Sequence, residues 1–128
     1  MIETGIKGRQ ETIVTEENSA KAVGSGTLLV FATPAMIALI EETAWKSVAS
    51  SLQEGEGTVG TKLDVAHISA TPVGMKVWCE TELTEVDRRR LVFTVAVYDE
   101  KGKIGEGTHE RFIISNEKFM EKANAKKA

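Results

Sequence analysis

The period of the hydrophobic positions changes along the chain, and the changes mark its elements. From Pro34 to about Gln53 (PAMIALIEETAWKSVASSLQ) apolar residues recur at helical spacing, with Thr33 suited to the N-cap, Pro34 to the first helical position, and Gly55 and Gly57 to ending the run. Ala35 to Ile40 are apolar all round, the mark of a helix enclosed by other structure. Before it, Gln10 to Val14 predicts a strand, Gly24-Ser25-Gly26 loosens the chain, and Leu28 to Phe31 leads into the helix. After it the period becomes two, which predicts strands over 58–71, 74–86, 91–99 and 103–115. The links between them, around Thr71-Pro72-Val73-Gly74, Glu85 to Arg90 and Glu100 to Lys103, are short and turn-prone, and they favour antiparallel neighbours. The polar, lysine-rich tail 116–128 reads as a terminal helical turn with Phe119 and Met120 touching the body, and as a segment that frays.

One long helix between a first strand and an antiparallel run of four predicts an α+β fold in which the sheet wraps around the helix, the hotdog arrangement. At 128 residues with 41% hydrophobic content the chain makes a single domain, 1–128. A net charge of -3 argues against nucleic acid as the main partner. No apolar run is long enough to span a bilayer and the N-terminus lacks a secretory pattern, so a cytoplasmic location is the default expectation. The single cysteine, Cys79, excludes an internal disulfide and alternates with Val77 and Thr81 as a packing residue. Two histidines without a CxxC give no zinc-ligand spacing, and no metal is expected.

Two ionisable side chains fall on apolar faces. Glu41 lies in line with Ile37, Trp45, Val48 and Leu52, which predicts burial, whereas Glu42 precedes Lys46 by one turn and pairs with it on an exposed face. A buried glutamate is costly without a partner or a task. His67 shares the inner face of its strand with Leu63 and Val65, while Lys62, Asp64 and Ala66 face outward. Taken singly, each has a plain structural reading: His67 as a satisfied core residue, Thr33 as a cap, Gly60 as a bulge glycine. Arg88-Arg89-Arg90 reads as a solvated hairpin end, although an arginine cluster also suits phosphates. His109 reads as structural or surface, and Trp45 and Trp78 as core or subunit-contact residues.

Three segments, Phe31 to Glu41 (FATPAMIALIE), Gly57 to Gly74 (GTVGTKLDVAHISATPVG) and Gly107 to Phe112 (GTHERF), resemble the hotdog thioesterase family of the fluoroacetyl-CoA type, over about residues 10 to 115. The resemblance implies that Thr33, Glu41 and His67 form the catalytic set, that Gly60 lies near the acyl group, and that Arg111 lies at the mouth of the pocket. Pro34 and Ile37 join Gly60 and Arg111 as substrate-binding positions. Where the family carries lid phenylalanines this chain has Val23-Gly24-Ser25-Gly26-Thr27, which sets fluoroacetyl preference in question and predicts tolerance of several acyl groups.

Thioester hydrolysis needs a nucleophile, a base and oxyanion donors. His67 can take a proton near neutral pH and return it to the thiolate. Glu41 either supports His67 while Thr33 attacks, or activates water while Thr33 positions the substrate. Backbone N–H groups at the start of the helix suit the oxyanion. The expected partner is an acyl-CoA with a small acyl group; coenzyme A enters as part of the substrate and no other cofactor is implied. A sheet with one face uncovered predicts a homodimer or larger homo-oligomer, with sites near the subunit boundary. The alternatives are a hydratase on the same fold, disfavoured by the absence of a second His–Asp arrangement on the helix, and a non-catalytic acyl-CoA-binding or regulatory module.

Overall fold

The computed structural model describes residues 2–127. Five strands, β1 (Lys7–Ile13), β2 (Glu56–His67), β3 (Lys76–Asp87), β4 (Arg90–Asp99) and β5 (Gly102–Ser115), form one antiparallel sheet in the order β1-β3-β4-β5-β2. A single turn of helix, α1 (Ala20–Val23), precedes the long helix α2 (Thr33–Val48), and α3 (Asn116–Asn124) follows the last strand. This is the α+β hotdog arrangement anticipated from the hydrophobic pattern. The element ends shift: α2 stops at Val48 and gives way to a 3-10 turn over Ala49–Ser51, short of Gln53, and the tail forms a nine-residue helix with Phe119 and Met120 exposed. One connection is corrected: the short Thr71–Gly74 link does not make neighbours of β2 and β3, because the chain crosses from one edge of the sheet, where β2 pairs with β5, to the other side, where β3 lies between β1 and β4.

Helix α2 packs its Met36, Leu39, Ile40, Thr43, Ala44 and Val48 side onto the inner face of the sheet, where Val77, Cys79, Leu83, Leu91, Phe93, Val95 and Val97 are buried. Close approach of helix and sheet depends on missing side chains. A Cβ on Gly8 would lie 2.8 Å from the Ser47 Cβ, and one on Gly105 would lie 2.6 Å from the Met36 sulfur. Burial pushes the Cys79 thiol up to about 12, only partly offset by a hydrogen bond with Thr43, so the thiolate that a nucleophile requires is not formed near neutral pH.

The part of the stripe around Glu41 is not buried, contrary to the expectation from spacing, although Val48 further along it is. Trp45 is 42% exposed and the Glu41 side chain 39%, and Ile37 is half-buried. The sheet covers the face one step round the helix, so apolar residues on the Ile37–Glu41–Trp45 flank are left open in the single chain. Glu42 pairs with Lys46 at 3.2 Å as expected, and also accepts a hydrogen bond from Gln10.

Strand β2 lies at the sheet edge and pairs only with β5. Its register with β5 slips between Gly60 and Lys62, so that Thr61 is the extra residue of a β-bulge. Side chains alternate along a strand, and the inserted residue reverses the parity. Thr58 and Gly60 before the bulge therefore share the inner face with Leu63, Val65 and His67 after it. A second consequence concerns Gly107, opposite Val65, where an added Cβ would sit 2.7 Å from the Val65 Cα. Gly107→Ala is expected to destabilise the fold by about 2–4 kcal/mol, because backbone cannot yield as a side-chain tip can. Gly26→Ala, whose nearest neighbour is the Ala20 Cβ at 3.4 Å, should cost under ~1 kcal/mol. Urea unfolding of both variants checks the contrast; equal midpoints would contradict it.

Candidate active site

The first turn of α2 and the last residue of β2 meet at the open end of the helix. The N-cap is Ala32, not Thr33, and makes no side-chain capping bond; Thr33 and Pro34 are the first two helical residues. The correction has a chemical consequence. Freed from capping, the Thr33 hydroxyl stands 2.7 Å from the His67 Nδ1. Pro34 has no N–H, and the Met36 N–H is taken by the Ala32 carbonyl, so any oxyanion donor at this end comes from Thr33 or Ala35.

His67 is half-buried, with Phe31 edge-on at 6.5 Å between ring centroids. Burial lowers its pKa below the ordinary value, and a backbone hydrogen bond with Ser69 offsets this in part. The ring is therefore neutral at pH 7 and can accept a proton. Its Nε2 is buried without a hydrogen-bond partner among the described residues. Thr33 and His67 line an open cleft of about 300 Å³ with Phe31, Val30, Ser25 and Ala70.

Glu41 belongs to a second cluster. It lies eight residues beyond Thr33, which puts it ~12 Å further along the helix axis at ~1.5 Å per residue. Its Oε2 is 3.6 Å from Arg111 Nη1, and it makes no hydrogen bond to His67. A Cβ on Gly60 would come within 2.7 Å of the Glu41 carboxylate and 3.3 Å of Arg111, so Gly60 opens the space between helix and strand at this point. Glu41 and Arg111 line one cleft of about 640 Å³ with Ala38 and Trp45. A second cleft, of about 340 Å³, connects Trp45 and Arg111 with Thr58.

Arg111 is 5% exposed, so it does not stand at a pocket mouth in the single chain. Its Nε donates to the Thr58 hydroxyl at 2.8 Å and its Nη2 to the Thr58 carbonyl at 2.9 Å. Burial lowers its pKa from the usual arginine value and Glu41 raises it. His109, read from sequence as structural or surface, is fully buried beside it and contacts both Arg111 and the backbone of Lys62. Its alternation with Arg111 was the available signal; the bulge that gives it a carbonyl to hold was not legible. At the β3–β4 hairpin, Arg90 is paired with Glu85 at 2.6 Å and Glu110 at 2.9 Å, and Arg89 donates to the Ile113 carbonyl. Asp87 and the three arginines line one cleft at this corner, and among the described residues only Arg90 of the three is ion-paired.

Ile37 is half-buried and Pro34 exposed, both on the open side of α2. The structure thus joins Thr33 to His67 and Glu41 to Gly60 and Arg111, and keeps the two clusters apart within one chain. Among the described residues no group of His, Cys, Asp and Glu could hold a metal ion, and no helix is long and apolar enough to cross a membrane.

Residues 14–117 match the family model described as fluoroacetyl-CoA-specific thioesterase. Fluoroacetyl-CoA thioesterase from Streptantibioticus cattleyicolor is 43% identical over 97 residues, 76% of this chain and 70% of its own. A solved structure of fluoroacetyl-CoA thioesterase superposes with a TM-score of 0.93 at 33% identity and 98% coverage of both chains. A mutant form in complex with acetyl-CoA gives 0.94 at 32% identity, covering 99% of this chain and 100% of that one. The chain belongs to the fluoroacetyl-CoA-specific thioesterase family, and is a thioester hydrolase of the hotdog fold.

Proposed function

We propose that the enzyme hydrolyses acyl-CoA esters of small acyl groups, with Thr33 as nucleophile and His67 as its base. The observation that carries this reading is the 2.7 Å contact between the Thr33 hydroxyl and His67 Nδ1 at the start of α2. A threonine hydroxyl is a weak nucleophile until a base accepts its proton, and hydrogen-bond reach is the geometric requirement. Attack on the thioester carbonyl places the proton on Nδ1 and an acyl group on Thr33. The imidazolium returns the proton to the departing thiolate, and water then releases the acid with His67 again as base. Nδ1 accepts only if Nε2 carries the ring proton. Acetyl-CoA in the related structure supports a small acyl group on coenzyme A.

The two clusters meet in a homodimer. Strand β2 has one free edge, and Leu63 (37% exposed), Trp45 and Ile68 (53%) leave apolar surface along it. Two copies joined antiparallel at this edge run the His67 end of one β2 alongside the Gly60 end of the other. Each site then takes Thr33 and His67 from one protomer, and Glu41, Gly60 and Arg111 from its partner. Glu41 in that position bears on the acyl group or the attacking water, rather than on the His67 Nδ1 already held by Thr33.

The lid segment remains open and short: residues 21–29 are exposed, and α1 is a single turn capped by Ser19. A small, glycine-rich lid supports tolerance of several acyl groups. In a thiol-release assay across an acyl-CoA panel, the parent should turn over several substrates with efficiencies within a hundredfold of one another. Thr33→Ala, His67→Ala and Glu41→Gln should each lose roughly 10²–10⁴-fold in rate. A preference of more than a hundredfold for one acyl group contradicts the lid argument. Tight binding of acyl-CoA without thiol release would make the protein a binding module.

Because burial lowers the His67 pKa, its base form persists below the ordinary 6.5. The acid limb of kcat/KM should have its midpoint under 6.5, with activity lost only as pH falls through that value; a midpoint above 6.5 contradicts the assignment. Subunit mixing checks the shared site. Inactive His67→Ala and Glu41→Gln proteins, unfolded and refolded together, should recover thiol release, because one site of each hybrid holds an intact His67 and an intact Glu41. If every site lies within one protomer, the mixture stays inactive.

A further inference from the structure

Three side chains converge on Gly60, and only two have been given a task. Besides Glu41 and Arg111, the His109 ring lies there, its Cε1 3.3 Å from where a Gly60 Cβ would stand. His109 faces inward from β5 opposite Leu63 and Phe93, and stacks on Phe93 at 6.2 Å with an interplanar angle of 28°. It is fully buried and both ring nitrogens are engaged, Nδ1 with the Lys62 carbonyl at 2.9 Å and Nε2 with Arg111 Nη1 at 3.2 Å.

These partners fix its protonation. A carbonyl only accepts and a guanidinium only donates, so Nδ1 carries the proton and Nε2 receives one from Arg111. A second ring proton would face Arg111 directly; burial and Arg111 oppose it, and they outweigh the Lys62 carbonyl, Glu41 and Glu110, which favour it. The neutral ring therefore spans two features the site requires. It holds the carbonyl next to the bulged Thr61, which keeps Gly60 and His67 on one face, and it occupies the donor that would otherwise leave Arg111 Nη1 with Glu41 alone.

We propose that His109 is a positioning residue for thioester hydrolysis: it fixes the Arg111 guanidinium, and through it the Glu41 carboxylate, over the acyl position at Gly60. This rests on the reading above in which Glu41 takes part in the reaction. His109 itself touches no reacting atom.

The test uses the full-length enzyme and two substitutions that divide the ring's functions. His109→Asn sets an amide near the place of Nδ1, able to donate to the Lys62 carbonyl but too short to meet Arg111. His109→Gln reaches far enough to accept from Arg111. With acetyl-CoA as substrate, His109→Asn should lose roughly 10- to 100-fold in kcat with KM altered less than about threefold, and His109→Gln should recover most of that loss. The Asn substitution should cost nothing further when added to Glu41→Gln. Lowered melting temperatures with parental kcat would reduce His109 to a core residue and overturn the proposal, as would a full Asn effect in the Glu41→Gln background. If Glu41→Gln alone leaves kcat unchanged, the role of Glu41 fails and this inference with it. If Glu41→Gln is impaired and His109→Asn is not, only this inference fails. Nitrogen NMR of the unmodified enzyme gives an arm independent of variant folding: a neutral ring protonated at Nδ1 is expected, and a ring protonated at Nε2 overturns the assignment.

Discussion

The site depends on one extra residue in an edge strand. Gly60 and His67 are an odd number of positions apart, so a regular strand would send one toward the helix and the other toward solvent. The bulge at Thr61 removes that conflict by reversing the alternation between them. Everything that lines the inner face of β2 follows from it: Thr58 receives Arg111, Gly60 clears the space before Glu41, and His67 reaches Thr33. A bulge leaves backbone groups outside the regular ladder, and the surroundings supply partners. The Thr61 hydroxyl donates to the Glu110 carbonyl at 3.2 Å, and the Lys62 carbonyl is held by His109. The distortion that assembles the site is thus satisfied by residues of β5, on which the site also depends.

Helix α2 is the second fixed part. Its buried side is aliphatic apart from Thr43, whose hydroxyl donates to the Leu39 carbonyl at 2.7 Å, and it rests where glycines let it approach the sheet. This rigid seat holds Thr33 at one end and Glu41 two turns along. The intervening ~12 Å of helix leaves the two side chains in separate clusters within one protomer, Thr33 against His67 and Glu41 against Arg111. In the shared site proposed above, the uncovered Ile37–Glu41–Trp45 flank is surface left open for the second copy of the chain.

Periodicity recovers the long helix and the five strands, because those depend on repeated local choices that a sequence displays; it does not give the order, since the short Thr71–Gly74 link joins strands that are not neighbours, β2 pairing with β5 and β3 with β1 and β4. It misplaced Glu41, since helical spacing identifies a stripe but not which flank a sheet will cover. Thr33 was assigned to capping because Thr-Pro suits an N-cap equally well; the shift of one residue to Ala32 is decided by the Ser19 to Phe31 and Val30 to Pro72 bridges that fix the incoming chain. The family resemblance implies a pocket mouth for Arg111; its burial is not legible in β5 alone because it depends on Thr58 across the strand pair. Gly60 carried a visible signal, a glycine within a strand pattern, but the parity change it announces appears only in the register with β5. Family resemblance supplied the grouping of Thr33, Glu41 and His67 that spacing could not.

The two histidines show how the same residue type is set to different ends. Both sit on inner faces and burial lowers the pKa of both, so neither carries charge at neutral pH. Burial alone does not distinguish them. Hydrogen-bond accounting does. His109 has a donor and an acceptor matched to its two nitrogens and an aromatic ring against its face, which leaves it no capacity to exchange a proton without breaking the network around Arg111. His67 has its Nδ1 on a hydroxyl that can surrender its proton and a buried Nε2 without a side-chain or backbone partner at hydrogen-bond geometry among the described residues, in a ring that lines an open cleft. A ring with an unmet bond beside an ionisable hydroxyl is unstable as packing and suited to transfer; a ring with both bonds met is suited to holding other groups still. What each nitrogen faces thus suits His67 to the proton transfer proposed for it and His109 to holding its neighbours in place.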